Sequence, residues 1–284
     1  MKSILPLDLM AFLMILASGQ AMASSLTVFH ADSLAGPMKE LKAAFEARQK
    51  GVTVHLVAGR SEPLAEQILK GDPCDVFAPS SADVMDKLLL GKAIAGTDQG
   101  AATWYIIFSA NEMVVITRKG NPLGIQNIAD LSRPGVKFTR VTGEKDLATN
   151  RSISFLKQAA ALEGKPDLAQ KIIDGSIVDP SKPQTVPETI QAVIQGKADA
   201  AVVYYSAAVA AQANLDIVRF PASVNLSDKI QNAVTVPGMI RAKEIAVEFV
   251  KFMISSEGQN ILKQTGQPPV IPVIRKGTVP PEIQ

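Results

Sequence analysis

Four times in this chain a short polar stretch opens directly into a helix, and that recurrence constrains the fold more than any other feature. The clearest case is Val57-Ala58-Gly59-Arg60-Ser61-Glu62-Pro63-Leu64-Ala65-Glu66-Gln67-Ile68, where a β-branched run ends in a small, polar loop and a helix follows with proline just inside it. The first backbone N–H groups of such a helix have no partner within it. Beside a serine hydroxyl and an arginine they form a donor cluster suited to an anion. The other three junctions are Ala31-Asp32-Ser33-Leu34-Ala35-Gly36, Asp146-Leu147-Ala148-Thr149-Asn150-Arg151-Ser152 and Gln184-Thr185-Val186-Pro187-Glu188. Ser33 stands where a capping hydroxyl would. Thr185-x-x-Glu188 reads as a capping box, with Val186 the first helical residue and its N–H pointing outward. Each junction alone is an ordinary helix start.

Hydrophobic periodicity predicts strands at 26–31, 52–57, 75–78, 113–117, 136–139, 176–178, 200–204, 216–220 and 230–236. Helices are predicted at 35–48, 63–70, 82–90, 150–162, 167–173, 186–195, 242–254 and 257–263, before a proline-rich tail. The alternation indicates an α/β fold of βαβ units, with mostly parallel sheets flanked by helices. The text changes around Asn111, and a second α/β series begins. We therefore expect two lobes, 24–112 with 216–284 and 113–215, joined by a hinge of two crossing strands at 113–117 and 216–220. Ligands of such folds sit beyond the carboxyl ends of strands, in the crevice between lobes.

Residues 1–23 read as a secretory signal peptide. Lys2 supplies the basic start, Leu9 to Leu16 a short apolar core, and Ala21-Met22-Ala23 a cleavage site before Ser24. That core is too short to span a bilayer, and no later segment is apolar enough, so an exported product that is not membrane-embedded is expected. A net charge of +2, with no basic run or aromatic stripe, gives no footprint for nucleic acid. Cys74 is the only cysteine and lies before a buried-looking strand, where it reads as a small core residue. His30 and His55 are the only histidines, both in strand text, and nucleophile-elbow, Walker and dinucleotide motifs do not occur. We expect no enzyme, no directly bound metal and no cofactor. The rival is an exported hydrolase of an anionic ester, in which His30 would serve Ser33.

A tetrahedral oxyanion offers many lone pairs and no proton, so its site needs donors only. Backbone N–H groups at helix starts, with serine or tyrosine hydroxyls, supply them along aligned peptide dipoles. A protonated species would set its O–H against another donor, at a cost of about 1–3 kcal/mol.

Four blocks carry a resemblance over nearly the whole mature chain: Ala31-Asp32-Ser33-Leu34, Arg60 to Ile68, Asp72-Pro73-Cys74-Asp75-Val76-Phe77-Ala78 and Val202-Val203-Tyr204-Tyr205-Ser206. In this order they resemble the periplasmic molybdate-binding proteins of ABC importers. The resemblance implies a type II periplasmic binding-protein fold, a periplasmic address, a membrane permease as partner and a molybdate or tungstate ligand; a monomer is expected. It implies ligand contacts at Ser33, Ser61, Ala148, Val186 and Tyr204. Two residues depart from the pattern: Arg60 stands where the family has a small residue, and Arg151 where it has an aromatic. Each either pairs with a carboxylate such as Glu62 or Glu144, or faces the cleft. In the second case a small organic anion (a carboxylate, sulfonate or phosphonate) held by both arginines is the alternative ligand. Phe29 to Leu34 is also similar to archaeal tungstate/molybdate-binding relatives that coordinate the metal through carboxylates. The glutamate such a site needs before the tyrosine is Val203 here, so carboxylate coordination is not expected.

Overall fold

The computed structural model describes residues 24–144 and 146–284; the expected leader lies outside them. The described chain opens with β1 (Ser24–Ala31), a 3-10 turn over Asp32–Leu34, α1 (Ala35–Arg48), β2 (Val52–Gly59), α2 (Ser61–Lys70) and β3 (Val76–Ala78). The short α3 (Ala82–Val84) widens into a π-helical stretch over Met85–Leu89. Central β1 pairs in parallel with β2 on one side and β3 on the other. Leu26 and Val28 point to α1 and meet Met38, Leu41 and Phe45, whereas Phe29 points oppositely and meets Leu64 and Ile68 of α2. Burial on both faces is why β1 reads as an apolar run and why the sheet is parallel.

β4 (Trp104–Ala110) then leads into β5 (Met113–Arg118), followed by β6 (Phe138–Arg140), α4 (Leu147–Leu162), α5 (Asp167–Asp174) and α6 (Val186–Ile194). Next come β7 (Ala200–Tyr204), α7 (Tyr205–Ala210), β8 (Leu215–Val218), β9 (Gln231–Val234), α8 (Lys243–Ile254), α9 (Ser256–Gln264) and β10 (Pro269–Gly277). β4 lies between β9 and β10, antiparallel to both, and a bridge between Phe77 and Thr235 ties this sheet to β3. A four-stranded sheet in the order β6-β7-β5-β8 forms the other half. One of its faces packs Val115 and Val202 on Phe155 and Leu156 of α4; the other packs Val114 and Val203 on Ile190 and Val193 of α6.

Several elements differ from the sequence expectation. β4, β10 and α7 lie where none was predicted, and residues 176–178 are no strand but touch β6 through Ile177, whose N–H donates to the Phe138 carbonyl (2.8 Å) and whose carbonyl accepts from Thr139 Oγ1 (3.3 Å). α2 starts two residues before the expected 63, and α4 three before the expected 150. The strand expected to cross back, 216–220, instead pairs with β5 in the second sheet. The return runs later, through 220–230, where Val224, Leu226 and Ile230 still belong to the second core.

The chain thus passes between the halves twice, and the two passages are bonded together. Asn111 N–H donates to the Ile230 carbonyl (2.8 Å) and Met113 N–H to that of Asn225 (2.9 Å). Buried Glu112 accepts from Arg219 Nε (2.6 Å) and from the Asn225 amide. β1 and β3 lead into the turns that carry Ser33 and Ser80, and β7 ends on Tyr204.

Candidate ligand-binding site

Ser61 is the first residue of α2, behind an extended Arg60, and no side chain caps this helix. The N–H groups of Ser61 and Glu62 have no partner among the described residues, Pro63 has none to offer, and bonding begins with Leu64 N–H on the Arg60 carbonyl (3.2 Å). The Ser61 hydroxyl is buried and accepts from Ser80 N–H at 3.1 Å, with Ser80 Oγ at 3.4 Å. A backbone N–H occupies one lone pair of Ser61 Oγ, and its proton can be given to Ser80 Oγ or to a ligand.

The facing half supplies Arg151 and Tyr204. Arg151, 8% exposed, lies in the second turn of α4; its Nη1 donates to Tyr204 Oη (3.1 Å) and its Nη2 to the Ser80 carbonyl (3.2 Å). A guanidinium only donates, so the Tyr204 hydroxyl is an acceptor here and its own proton is unspent. Burial pushes the Tyr204 phenol up, against the pull of Arg151, and keeps it protonated. Ser61, Ser80, Arg151 and Tyr204 therefore form one hydrogen-bonded run from the first half to the second.

Ser33 joins through its backbone. Its carbonyl accepts from Ser206 Oγ (3.3 Å), two residues beyond Tyr204, and from Gln267 Nε2 (3.1 Å), while its half-buried hydroxyl makes no hydrogen bond among the described residues. Ala148 is the second residue of α4, one turn before Arg151. Asp146 caps this helix, accepting from Thr149 N–H (2.7 Å) and Oγ1 (2.9 Å), and leaves the Leu147 and Ala148 N–H groups unpartnered among the described residues. Thr185 and Glu188 form the expected capping box, and the Val186 N–H has no partner among the described residues. The two expected arginines separate. Arg60 is exposed and its guanidinium makes no ion pair or hydrogen bond among the described residues, to Glu62 and Glu144 included, whereas Arg151 lies between the halves.

Beside Arg151 a cleft of about 440 Å³ opens, bordered by Ser81, Asp83, Leu147, Asp228 and Lys229. Ser80 was not among the expected residues. Its signal was the third strand–loop–helix junction, Ala78-Pro79-Ser80-Ser81-Ala82, where Ser81 caps α3 through Asp83 N–H (3.3 Å). Among the described residues no His/Cys/Asp/Glu group is spaced to hold a metal ion. Cys74 is buried with its thiol on the Val76 carbonyl (3.2 Å), and burial pushes its pKa far up, away from reactivity.

His30 is turned away from catalytic work. Only 2% exposed, it holds the Ala31 carbonyl through Nδ1 (2.9 Å) and makes no bond to Ser33. Burial lowers its pKa below the ordinary 6.5, outweighing the Ala31 bond and Asp32. Its contribution is therefore full above pH 6.5 and is lost as pH falls toward the lowered folded value, where the unfolded chain already binds the proton. Thermal melts from pH 8 to pH 5 are expected to show a steeper loss for the native chain than for His30→Gln; parallel curves would refute this.

Two α/β halves bonded along paired crossing segments make the type II periplasmic binding-protein fold. The chain belongs to the bacterial extracellular solute-binding proteins, whose family it matches over residues 26–267. It is 28% identical to the molybdate-binding protein ModA of Mycobacterium tuberculosis, covering 86% of this chain and 84% of that one. It is 24% identical to the molybdate/tungstate-binding protein WtpA of Pyrococcus abyssi, covering 94% and 90%. Among solved structures, the periplasmic molybdate-binding protein of Azotobacter vinelandii superposes with a TM-score of 0.63 at 17% identity, covering 85% of this chain and 98% of that one. The sulfate-binding protein SubI of Mycobacterium tuberculosis gives 0.64 at 20% identity, covering 88% of each.

Proposed function

We propose that this protein captures molybdate or tungstate outside the cytoplasm and delivers it to the permease of an ABC importer. The run Ser61–Ser80–Arg151–Tyr204 carries this reading: two buried hydroxyls, each already accepting from an N–H, can turn a proton to an incoming oxyanion. With them we assign to the ligand shell the Ser33 hydroxyl and the N–H groups of Ala148 and Val186. All are donors, as a fully deprotonated oxyanion requires. The ligand is held between hinged lobes and released unchanged, so the protein is a receptor and not an enzyme. It acts as a monomer in the periplasm, after a leader cleaved behind Ala23. The names and full-length coverage of the mycobacterial and archaeal relatives support the ligand class.

Calorimetry and thermal shift with molybdate, tungstate, sulfate, phosphate and organic acids test the reading. Ligand at a hundredfold excess over Kd stabilises the fold by about 2.7 kcal/mol. Response to an organic acid, with silence toward both metal oxyanions, would overturn it. Because Arg60 is exposed and unpaired among the described residues, Arg60→Ala is expected to leave molybdate affinity unchanged in the same calorimetry.

A further inference from the structure

Arg151 carries a buried charge that no carboxylate among the described residues pairs with directly. A guanidinium more than nine-tenths removed from water is costly unless a counter-charge offsets the lost hydration. Here it forms no ion pair among the described residues, and both of its bonds go to neutral oxygens, the Ser80 carbonyl and the Tyr204 hydroxyl. Its ring contact, 5.8 Å from the Tyr204 centroid, is also uncharged. The nearby carboxylates form no ion pair with it: Asp146 accepts the capping bonds of α4, and Asp83 pairs with Lys87 at 3.0 Å. Asp228 and Lys229, exposed on the cleft rim, oppose each other in sign. Two of the five guanidinium N–H groups are spent, three have no partner among the described residues, and Arg151 borders the cleft. The unpartnered N–H groups at the start of α4 add partial positive charge one turn away.

We infer that Arg151 makes this site select its ligand by charge, favouring tetrahedral dianions over monoanions of the same shape. This rests on the proposed oxyanion function and goes beyond it, because a shell of neutral donors sorts ligands by size and protonation. A fixed cation in a poorly hydrated site adds attraction proportional to ligand charge, so a dianion gains twice what a monoanion gains. Arg151 also bonds the Tyr204 hydroxyl, so the charge sits against a donor of the proposed shell rather than at the rim.

Tungstate and perrhenate test this, being tetrahedral oxyanions of near-equal size with charges of −2 and −1. Calorimetry at fixed pH and salt compares the native chain with Arg151→Gln and Arg151→Lys, each checked by circular dichroism and thermal melting. The native chain is expected to prefer tungstate at least about a hundredfold. Arg151→Gln should shrink that ratio at least about tenfold, and Arg151→Lys should keep most of it because the charge stays though the fork is lost. An unchanged ratio in Arg151→Gln overturns the inference while the oxyanion function stands. A collapse in both variants overturns it too, in favour of a shape role. If the native chain binds neither tungstate nor molybdate, the function itself falls, and charge selection with it.

Discussion

Ser61→Asp is expected to abolish oxyanion binding while the protein stays folded. Ser61 lies at the first position of α2, where a carboxylate favours the helix by facing its positive end. The helix end and the Ser80 N–H offset part of the cost of placing a carboxylate at this buried position, and the main effect falls on the ligand. A unit negative charge about 4 Å from the anion costs roughly 4 kcal/mol per unit of ligand charge at an effective dielectric near 20. That is about a thousandfold in affinity even for a monoanion. Ser61→Ala is the milder form. It removes one hydrogen bond to a charged group, worth about 1.5–3 kcal/mol, and so weakens binding roughly ten- to a hundredfold. It also strips the Ser80 N–H of its buried acceptor and loosens the loop that receives Arg151. Calorimetry reads the affinities and circular dichroism the fold. Retained tight binding in Ser61→Asp would remove α2 from the site altogether.

The alternation of strands and helices was legible because it is local. α1, β7 and the Thr185 capping box are specified by residues within a few positions of each other, and the structure has them at the expected places. β4 was not legible. Trp104-Tyr105-Ile106-Ile107-Phe108 is buried on both faces, so it shows no alternation, and its partners β9 and β10 lie more than a hundred residues downstream. β10 was masked by Pro269 and Pro272, which an edge strand tolerates because it pairs on one side only, here with β4. The return passage was misplaced for a similar reason. β8 looks like any short strand, and only its pairing with β5 assigns it to the second sheet. At the site, Ser61 and Tyr204 stood in readable local text. The position of Arg151 did not: helix spacing put it on α4, but only the approach of the two halves sets it against Ser80, 71 residues away.

The same separation between local chemistry and long-range packing decides the second large effect. Phe249→Ala on α8 is expected to destabilise the protein by about 3–5 kcal/mol, the usual cost of emptying a fully buried aromatic position. Phe249 is 0% exposed and meets Phe45 of α1 edge-on, with centroids 5.0 Å apart at 85°. Phe252 packs on the same ring at 5.7 Å. The loss therefore includes an aromatic contact as well as a cavity. For a chain of this size it corresponds to a fall in Tm of roughly 10 °C. Affinity measured well below the transition is expected to stay at the native value. Although α1 follows directly on the Ser33 turn, that turn is also held by Ser206 Oγ and Gln267 Nε2 on its carbonyl. Ser61 and Tyr204 lie on other elements. A parallel loss of affinity in the folded protein would mean that the packing of α8 on α1 tunes the site as well as supporting it.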